Sequence, residues 1–127
     1  MKDLKVYLKE YSYWKSIQAL HYWDMETQMP KGAINDRAER LAFIDGKLHA
    51  HMTSKSYQKL LKSFAQGRKT KLDKKLSKEL LWNFYLKSKL PSKHVHELSL
   101  ATAHANHVWA VSKKIMIGKV LLPILIK

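Results

Sequence analysis

The histidines are the residues in this sequence with the clearest capacity for metal chemistry, and four of the seven lie between residues 94 and 107. His96 and Glu97 begin a segment close to H-E-x-x-H, in which two histidines one helical turn apart bind one zinc ion and the glutamate acts as general base. The fifth position is Leu100, where a second histidine would be required. The segment therefore lacks a zinc ligand, and we predict no metal site in it.

His104 and His107 form a second arrangement that could bind a metal, because residues three apart share one face of a helix. A protein metal site needs at least a third ligand, and Glu97 and His49 are the available donors. The alternative is that both histidines are polar side chains on an amphipathic helix. Because no spacing specifies a third ligand, we favour that alternative and keep His104 and His107 only as metal candidates.

Other catalytic chemistries lack the residues that they need. The chain has no cysteine, which excludes disulfides, thiolate metal sites and thiol nucleophiles and is typical of cytoplasmic proteins. Its four glycines form neither the sharp turn that exposes a serine nucleophile nor a phosphate-binding loop. We therefore predict no catalytic residue, no metal site and no cofactor for these 127 residues.

The charge is strongly unbalanced, with 24 lysines and arginines against 10 acidic residues and a net charge of +14. Such a chain attracts polyanions, so nucleic acid and acidic lipid are candidate partners. Arginine, whose planar side chain suits specific phosphate and base contacts, occurs only three times, which favours a solvated lysine-rich surface instead. The sequence shows no secretory signal and no stretch near the ~20 apolar residues that span a bilayer.

Aromatic rings alternate with lysines near Tyr11 and again near Trp82. In a nucleic-acid-binding protein such rings stack on bases while the lysines pair with phosphates. The rings also fall on helix-spaced apolar stripes, which is more typical of a protein core. We therefore predict that Trp14, Trp82 and Trp109 are core residues.

Apolar residues recur at intervals of three and four along most of the chain, which indicates amphipathic helices. The breakers Pro30, Gly67 and Pro91 separate them, and Ser54 and Ser92 are suitable N-caps for the third and fifth. The first is expected over 3–21, the second over 33–51, the third around 57–64, the fourth over 72–87 and the fifth over 93–113. The fifth is expected to bury Val95, Leu98, Ala101, Ala105, Val108 and Trp109. The fold class is therefore all-α, an antiparallel array of about five amphipathic helices.

One segment is more distinctive, namely Trp23 to Ala33 followed by Arg37. It resembles the W-D-x-x-T-x-M-P-x-x-A-x-x-x-R-A pattern near the start of the thermostable, Taq-type metallocarboxypeptidases. We predict structural roles for the matching residues: Trp23 and Met29 fill a gap between helices, Asp24 or Thr27 caps a helix start, and Pro30 ends the first helix. The full set of matching residues is Trp23, Asp24, Thr27, Met29, Pro30, Arg37 and, further on, Trp109.

The resemblance covers most of the chain and weakens toward its end. Lys89 to Pro91 is similar to the family's next helices, and Pro123 and Leu125 to a later element, whereas Ser112-Lys113 and Ile115 to Gly118 depart from its pattern. Members of the family are zinc-dependent carboxypeptidases that remove C-terminal residues from peptides. The resemblance implies a cytoplasmic, helical and often dimeric enzyme, whose N-terminal helices wall the substrate groove and whose zinc ligands lie far downstream of a region like this one.

We therefore expect a truncated N-terminal segment of such a peptidase. Residues 1–114 would form its helical N-terminal region, part of a larger helical domain, and residues 115–127 an apolar tail that is an incomplete helix. Because zinc and peptide would be bound only with the catalytic part, the segment is expected to be inactive alone. The alternative is a basic helical protein that binds nucleic acid or a membrane surface through non-specific attraction of polyanions.

Overall fold

A computed structural model of the chain describes residues 2–67 and 70–114. These residues form five α-helices: α1 (Lys2–Thr27), α2 (Ile34–Thr53), α3 (Lys55–Gln66), α4 (Lys71–Ser88) and α5 (Ser92–Lys114). The predicted all-α fold class is therefore confirmed. The predicted tail at 115–127, which includes Pro123 and Leu125, lies outside the described residues.

Side-chain caps define the starts of α3 and α4. Ser54 is the N-cap of α3, as predicted, and its hydroxyl oxygen accepts a hydrogen bond from the Tyr57 backbone N–H at 3.1 Å. At α4, Thr70 and Asp73 form a capping box in which each side chain accepts from the backbone N–H of the other residue. These contacts satisfy backbone donors that a helix start leaves unpaired.

Two other helix ends differ from the prediction. α1 continues past Trp23, where the sequence predicts a break, because no helix breaker precedes Pro30. Ser92, predicted as the cap of α5, is instead its first helical residue. The turn begins one residue earlier, since the Pro91 carbonyl oxygen accepts from the Val95 N–H at 3.2 Å.

α2 is the central helix, because each of the other four helices packs against it. The sequence predicts an apolar stripe of Ile34, Ala38, Leu41, Leu48 and Met52 on the second helix, and all of these residues are buried except Ile34, which is half-buried. Burying this side from several directions removes a large apolar area from water, the main favourable term in folding. Two buried clusters result, one of Leu4, Met52, Tyr57 and Leu61 and the other of Ala38, Leu41 and Ala103.

Stacked rings hold the start of α1 against the junction of α2 and α3. The Tyr7 ring stacks on His51 and on Tyr57, with centroids 3.9 Å and 5.0 Å apart. The Tyr7 hydroxyl donates to the His51 carbonyl oxygen at 2.5 Å and lies 2.7 Å from the Ser54 hydroxyl. Burial raises the pKa of Tyr57 to about 12, because its ionised form would be poorly solvated there.

α5 packs against α2 through a face that the sequence does not predict. The predicted stripe largely faces solvent, and its exposed residues are Leu98, Ala101, Ala105, Val108 and Trp109. The buried residues of α5 are Ser99, Ala103 and Ser112, and the small Ser99 and Ala103 let the two helix backbones approach closely. The prediction that Trp109 is a core residue is therefore wrong. Trp82 on α4 is likewise exposed, whereas Trp14 is half-buried.

Asp45 of α2 is the polar centre of the contact between α1, α2 and α5. Its Oδ2 accepts from Ser99 Oγ of α5 at 2.5 Å, and its Oδ1 accepts from Nε2 of the buried Gln18 of α1. Gln18 Oε1 accepts in turn from Lys15 Nζ. Burial, and secondarily the negative charge of Asp45, raises the pKa of Tyr22. Because hydrogen bonds to a charged group are strong and directional, this network fixes the rotation of α1 and α5 relative to α2.

Replacement of Asp45 by alanine would leave the Gln18 and Ser99 donors without their acceptor. We expect Asp45→Ala to lower the free energy of unfolding by about 2 kcal/mol, measured by urea denaturation followed by circular dichroism. Glu39→Ala, at an exposed acidic position of the same helix, is the control and should change it by less than about 0.5 kcal/mol. Equal effects of the two substitutions would contradict a structural role for the network.

Candidate functional site

The residues that match the family pattern lie at the corner where α1 ends and α2 begins, except Trp109, which lies on α5. Arg37, in the first turn of α2, donates from Nε to Asp24 Oδ2 of α1 at 2.6 Å and from Nη1 to Asp36 Oδ2 at 2.8 Å. Arg40 Nε lies 2.9 Å from the same Asp36 oxygen. Four side chains of alternating charge thus form a continuous network across the corner, here called the corner network.

Hydrogen bonding shifts the pKa values of two members of the corner network, Asp36 and Arg37. The hydrogen bond from Arg40 is the largest cause that lowers the pKa of Asp36, and a smaller contribution comes from Arg37. The hydrogen bond to Asp24 raises the pKa of Arg37. Asp36 also lies in the first turn of α2, where the positive end of the helix dipole favours a carboxylate. Because the pKa of Asp36 is lowered, its ion pairs stabilise the folded state at pH values above the ordinary carboxyl pKa. This stabilisation is lost only as the pH falls through the lowered pKa, in the acid range.

An open cavity of about 330 Å³ borders the corner network. Asp36 and Arg40 belong to the corner network and also line the cavity. The cavity combines carboxylates, cations and an apolar wall, a composition that can bind an extended polar chain while contacting its apolar side chains. Its lining consists of His21, Asp36, Glu39, Arg40, Phe43 and Ile44.

Sequence reasoning did not identify this cavity. No short motif connects His21 of α1 to Glu39 and Phe43 of α2, since packing of the two helices brings them together. One signal was available, because Asp36 and Arg40 have the i, i+4 spacing at which opposite charges pair on a helix.

Several residues of the family pattern have roles different from those predicted. Trp23 does not fill a gap between helices, because the longer α1 carries it to the solvent side, while Met29 is half-buried. Thr27 Oγ1 donates to the Trp23 carbonyl oxygen at 2.6 Å, and the Asp24 carboxylate accepts from a side chain of α2. The predicted capping roles of Asp24 and Thr27 are therefore wrong. α1 ends before Pro30, as predicted.

The predicted metal candidates lie on α5, where His104 is exposed and His107 is half-buried. The donors considered as a third ligand have other contacts. Glu97 Oε1 lies 3.7 Å from Lys93 Nζ, and His49 Nε2 lies 3.0 Å from a backbone carbonyl oxygen of α4. Among residues 2–67 and 70–114, no three histidine, aspartate or glutamate side chains are grouped as metal ligands are. His104 and His107 stay candidates from sequence alone.

Comparison with known families shows the family of this all-α chain. A family model described as Carboxypeptidase Taq (M32) metallopeptidase matches residues 3–125. The chain belongs to this family. The extent of the match is consistent with the N-terminal position that the Trp23 to Ala33 segment predicts. No significant match was found among curated proteins or among solved structures.

The metal ion that the family implies does not fit the described residues. His96 and Glu97 are exposed on α5, and Leu100 stands where the second histidine of a zinc motif would be. A zinc site needs at least three protein ligands that converge on one point, which this donor set does not supply.

No helix in the described part of the chain has the length and hydrophobicity that crossing a bilayer requires.

The ion pair between Asp24 and Arg37 is expected to stabilise the corner between α1 and α2. Asp24→Asn removes the charge and keeps the side-chain shape, whereas Arg37→Gln removes the charge and shortens the side chain, and each should lower the Tm by about 3 °C. Both break the contact between Asp24 and Arg37, although Arg37→Gln also breaks the ion pair with Asp36, so the double variant should lose less than the sum of the two single losses. Thermal unfolding at neutral pH measures this, and Glu26→Gln, at an exposed position of α1, should leave the Tm within about 1 °C. A double variant whose loss of Tm equals the sum of the two single losses would contradict a direct interaction between Asp24 and Arg37.

Proposed function

We propose that these 127 residues form a non-catalytic helical part of a zinc-dependent carboxypeptidase. The enzyme removes C-terminal residues from peptides only when polypeptide carrying an H-E-x-x-H zinc motif is joined to this part or bound to it. One observation carries the proposal: the chain matches the family over residues 3–125, while its only His–Glu pair, at residues 96–97, lacks the second histidine.

Exposed apolar surface supports the need for further polypeptide. Trp23 and Trp109 are 58% and 53% exposed, respectively. On α5 the outward stripe runs from Leu98 to Trp109, and Lys113 Nζ, 3.7 Å from the centre of the Trp109 ring, covers only part of it. Folded monomers rarely leave large contiguous apolar patches in water. The α5 stripe therefore packs against the polypeptide that carries the metal site.

The cavity beside the corner network contributes to the wall of the peptide-binding groove. Asp36 holds Arg40 at its edge, which presents guanidinium N–H donors. His21 Nδ1 lies 3.0 Å from the Ile17 carbonyl oxygen. Nδ1 therefore carries the proton in the neutral ring, and Nε2 is an acceptor. Donors at Arg40, an acceptor at His21 and the Phe43 ring suit the amide groups and side chains of an extended peptide.

The chain alone is expected to give no turnover of an N-blocked dipeptide in the presence of zinc, and to retain no stoichiometric zinc after dialysis. Release of the C-terminal amino acid and metal analysis measure the two properties. Addition of a separately purified polypeptide with the H-E-x-x-H part of the family should produce turnover. Leu98→Asp should raise the concentration needed for this complementation by about 10-fold, because it places a charge in the contact.

Lys93→Asp, an exposed position in the first turn of α5, is the matched control and should complement like the unmodified chain. Turnover by the purified chain alone, well above buffer, would contradict the non-catalytic role. If Leu98→Asp and Lys93→Asp complement equally well, the α5 stripe is not the contact with the catalytic part.

A further inference from the structure

α4 has two different long sides. Its inner side packs Leu80, Leu81 and Phe84 against the core cluster around Tyr57. The opposite side is here called the α4 outer surface, and at 3.6 residues per turn its members lie along one side of the helix. They are all exposed: Lys71, Leu72, Lys75, Glu79, Trp82, Leu86 and Lys89, which directly follows the helix.

The apolar members of the α4 outer surface are open to water along most of the helix. Leu72 is 74% exposed in the first turn, and Leu86 is 45% exposed near the end. Between them, the Trp82 ring stacks on Tyr85 with centroids 5.6 Å apart, and Lys89 Nζ lies 4.6 Å from the centre of the Tyr85 ring. The surface is thus a row in which Leu72 at one end, and Trp82 and Leu86 at the other, are exposed among lysines.

The row itself carries a net positive charge, because Lys71, Lys75 and Lys89 belong to it. α4 contains five lysines and two acidic residues. Of the acidic residues, Asp73 is engaged in the capping box at the start of α4. Glu79, which is exposed, lies on the same side of α4 as Leu72 and Leu86, so it is the single negative charge within the row.

We propose that the α4 outer surface binds the surface of an anionic lipid bilayer, with the axis of α4 parallel to the membrane plane. Leu72, Trp82 and Leu86 enter the boundary between headgroups and acyl chains, where tryptophan is favoured. Lys71, Lys75 and Lys89 remain among the anionic headgroups, whose negative potential attracts them.

An anionic bilayer accounts for both the apolar residues and the lysines of the α4 outer surface. A nucleic acid would pair its phosphates with the lysines and stack a base on Trp82, but it has no apolar layer to receive the exposed leucines. From Lys71 to Lys89 the surface is about 27 Å long, so it reaches several lipid headgroups at once. This proposal concerns a different surface from the α5 stripe and does not depend on peptidase function.

The test is co-sedimentation of the full 127-residue chain with vesicles of equimolar phosphatidylserine and phosphatidylcholine, and with vesicles of phosphatidylcholine alone. Binding is expected only to the anionic vesicles. The double variant Trp82→Ser/Leu86→Ser should lower the partition coefficient by about 10-fold or more, because the inserted apolar area is lost. Its matched control is Trp109→Ser/Leu98→Ser, which removes the same residue types from the exposed side of α5 and should bind within about twofold of the unmodified chain.

Variants that change the charge test whether the lysines of the α4 outer surface contribute to binding. Lys71→Gln/Lys75→Gln/Lys89→Gln should weaken binding to the anionic vesicles by roughly 100-fold, since each lysine near the surface contributes separately. The control with the same loss of charge, Lys5→Gln/Lys31→Gln/Lys47→Gln at exposed positions elsewhere, should weaken it by less than about 10-fold. Glu79→Gln should strengthen binding several-fold, because it removes the negative charge within the row. Circular dichroism verifies that each variant keeps the helical content of the parent.

Three results would overturn the proposal. One is no binding to anionic vesicles at low ionic strength. Another is equal binding by the Trp82→Ser/Leu86→Ser variant and its α5 control, which would place the contact elsewhere. The last is that the chain binds a single-stranded oligonucleotide more tightly than the vesicles, and that the Trp82 and lysine substitutions weaken oligonucleotide binding but not vesicle binding. The surface would then be a nucleic-acid site.

Discussion

A half-buried carboxylate on the central helix needs its hydrogen-bond donors, and this requirement sets how the outer helices lie against α2. Asp45 accepts from Gln18 of α1 and from Ser99 of α5. Loss of either donor would leave part of a charged group desolvated and unpaired, which costs more than a single hydrophobic contact gains. α5 therefore turns its small residues Ser99 and Ala103 inward. Its larger apolar residues must then face outward.

The orientation of α5 decides which of its residues are exposed and can contact other polypeptide. We propose that the outward stripe from Leu98 to Trp109 packs against further polypeptide. This agrees with membership of a family of metallopeptidases and with Leu100 at the position of the second histidine of a zinc motif. The corner network performs a different task, because it ties α1 to α2 through ion pairs and holds Arg40 at the cavity. The α4 outer surface differs from both, since its leucines stand among lysines.

Local features of the fold were predictable from sequence, whereas the rotation of helices against one another was not. The N-cap Ser54 depends only on neighbours in the chain, and the apolar side of α2 is buried because every other helix packs on it. On α5, hydrophobic periodicity predicts that Leu98 and Trp109 are buried, but the buried side is the one from which Ser99 donates to Asp45, 54 residues earlier in the chain. The same holds at the corner, where the distinctive motif predicted the family but not that Asp24 would pair with Arg37.

The orientation of α5 can be measured directly because the chain contains no cysteine. Ala101→Cys and Ala103→Cys place single thiols two residues apart on opposite sides of the helix, and maleimide labelling of the native and urea-unfolded chains gives their relative protection. With Ala103 buried and Ala101 exposed, Ala101→Cys should react near its unfolded rate and Ala103→Cys roughly 100-fold more slowly. The reverse order, which the periodicity of the sequence predicts, or equal rates at both positions, would contradict the account.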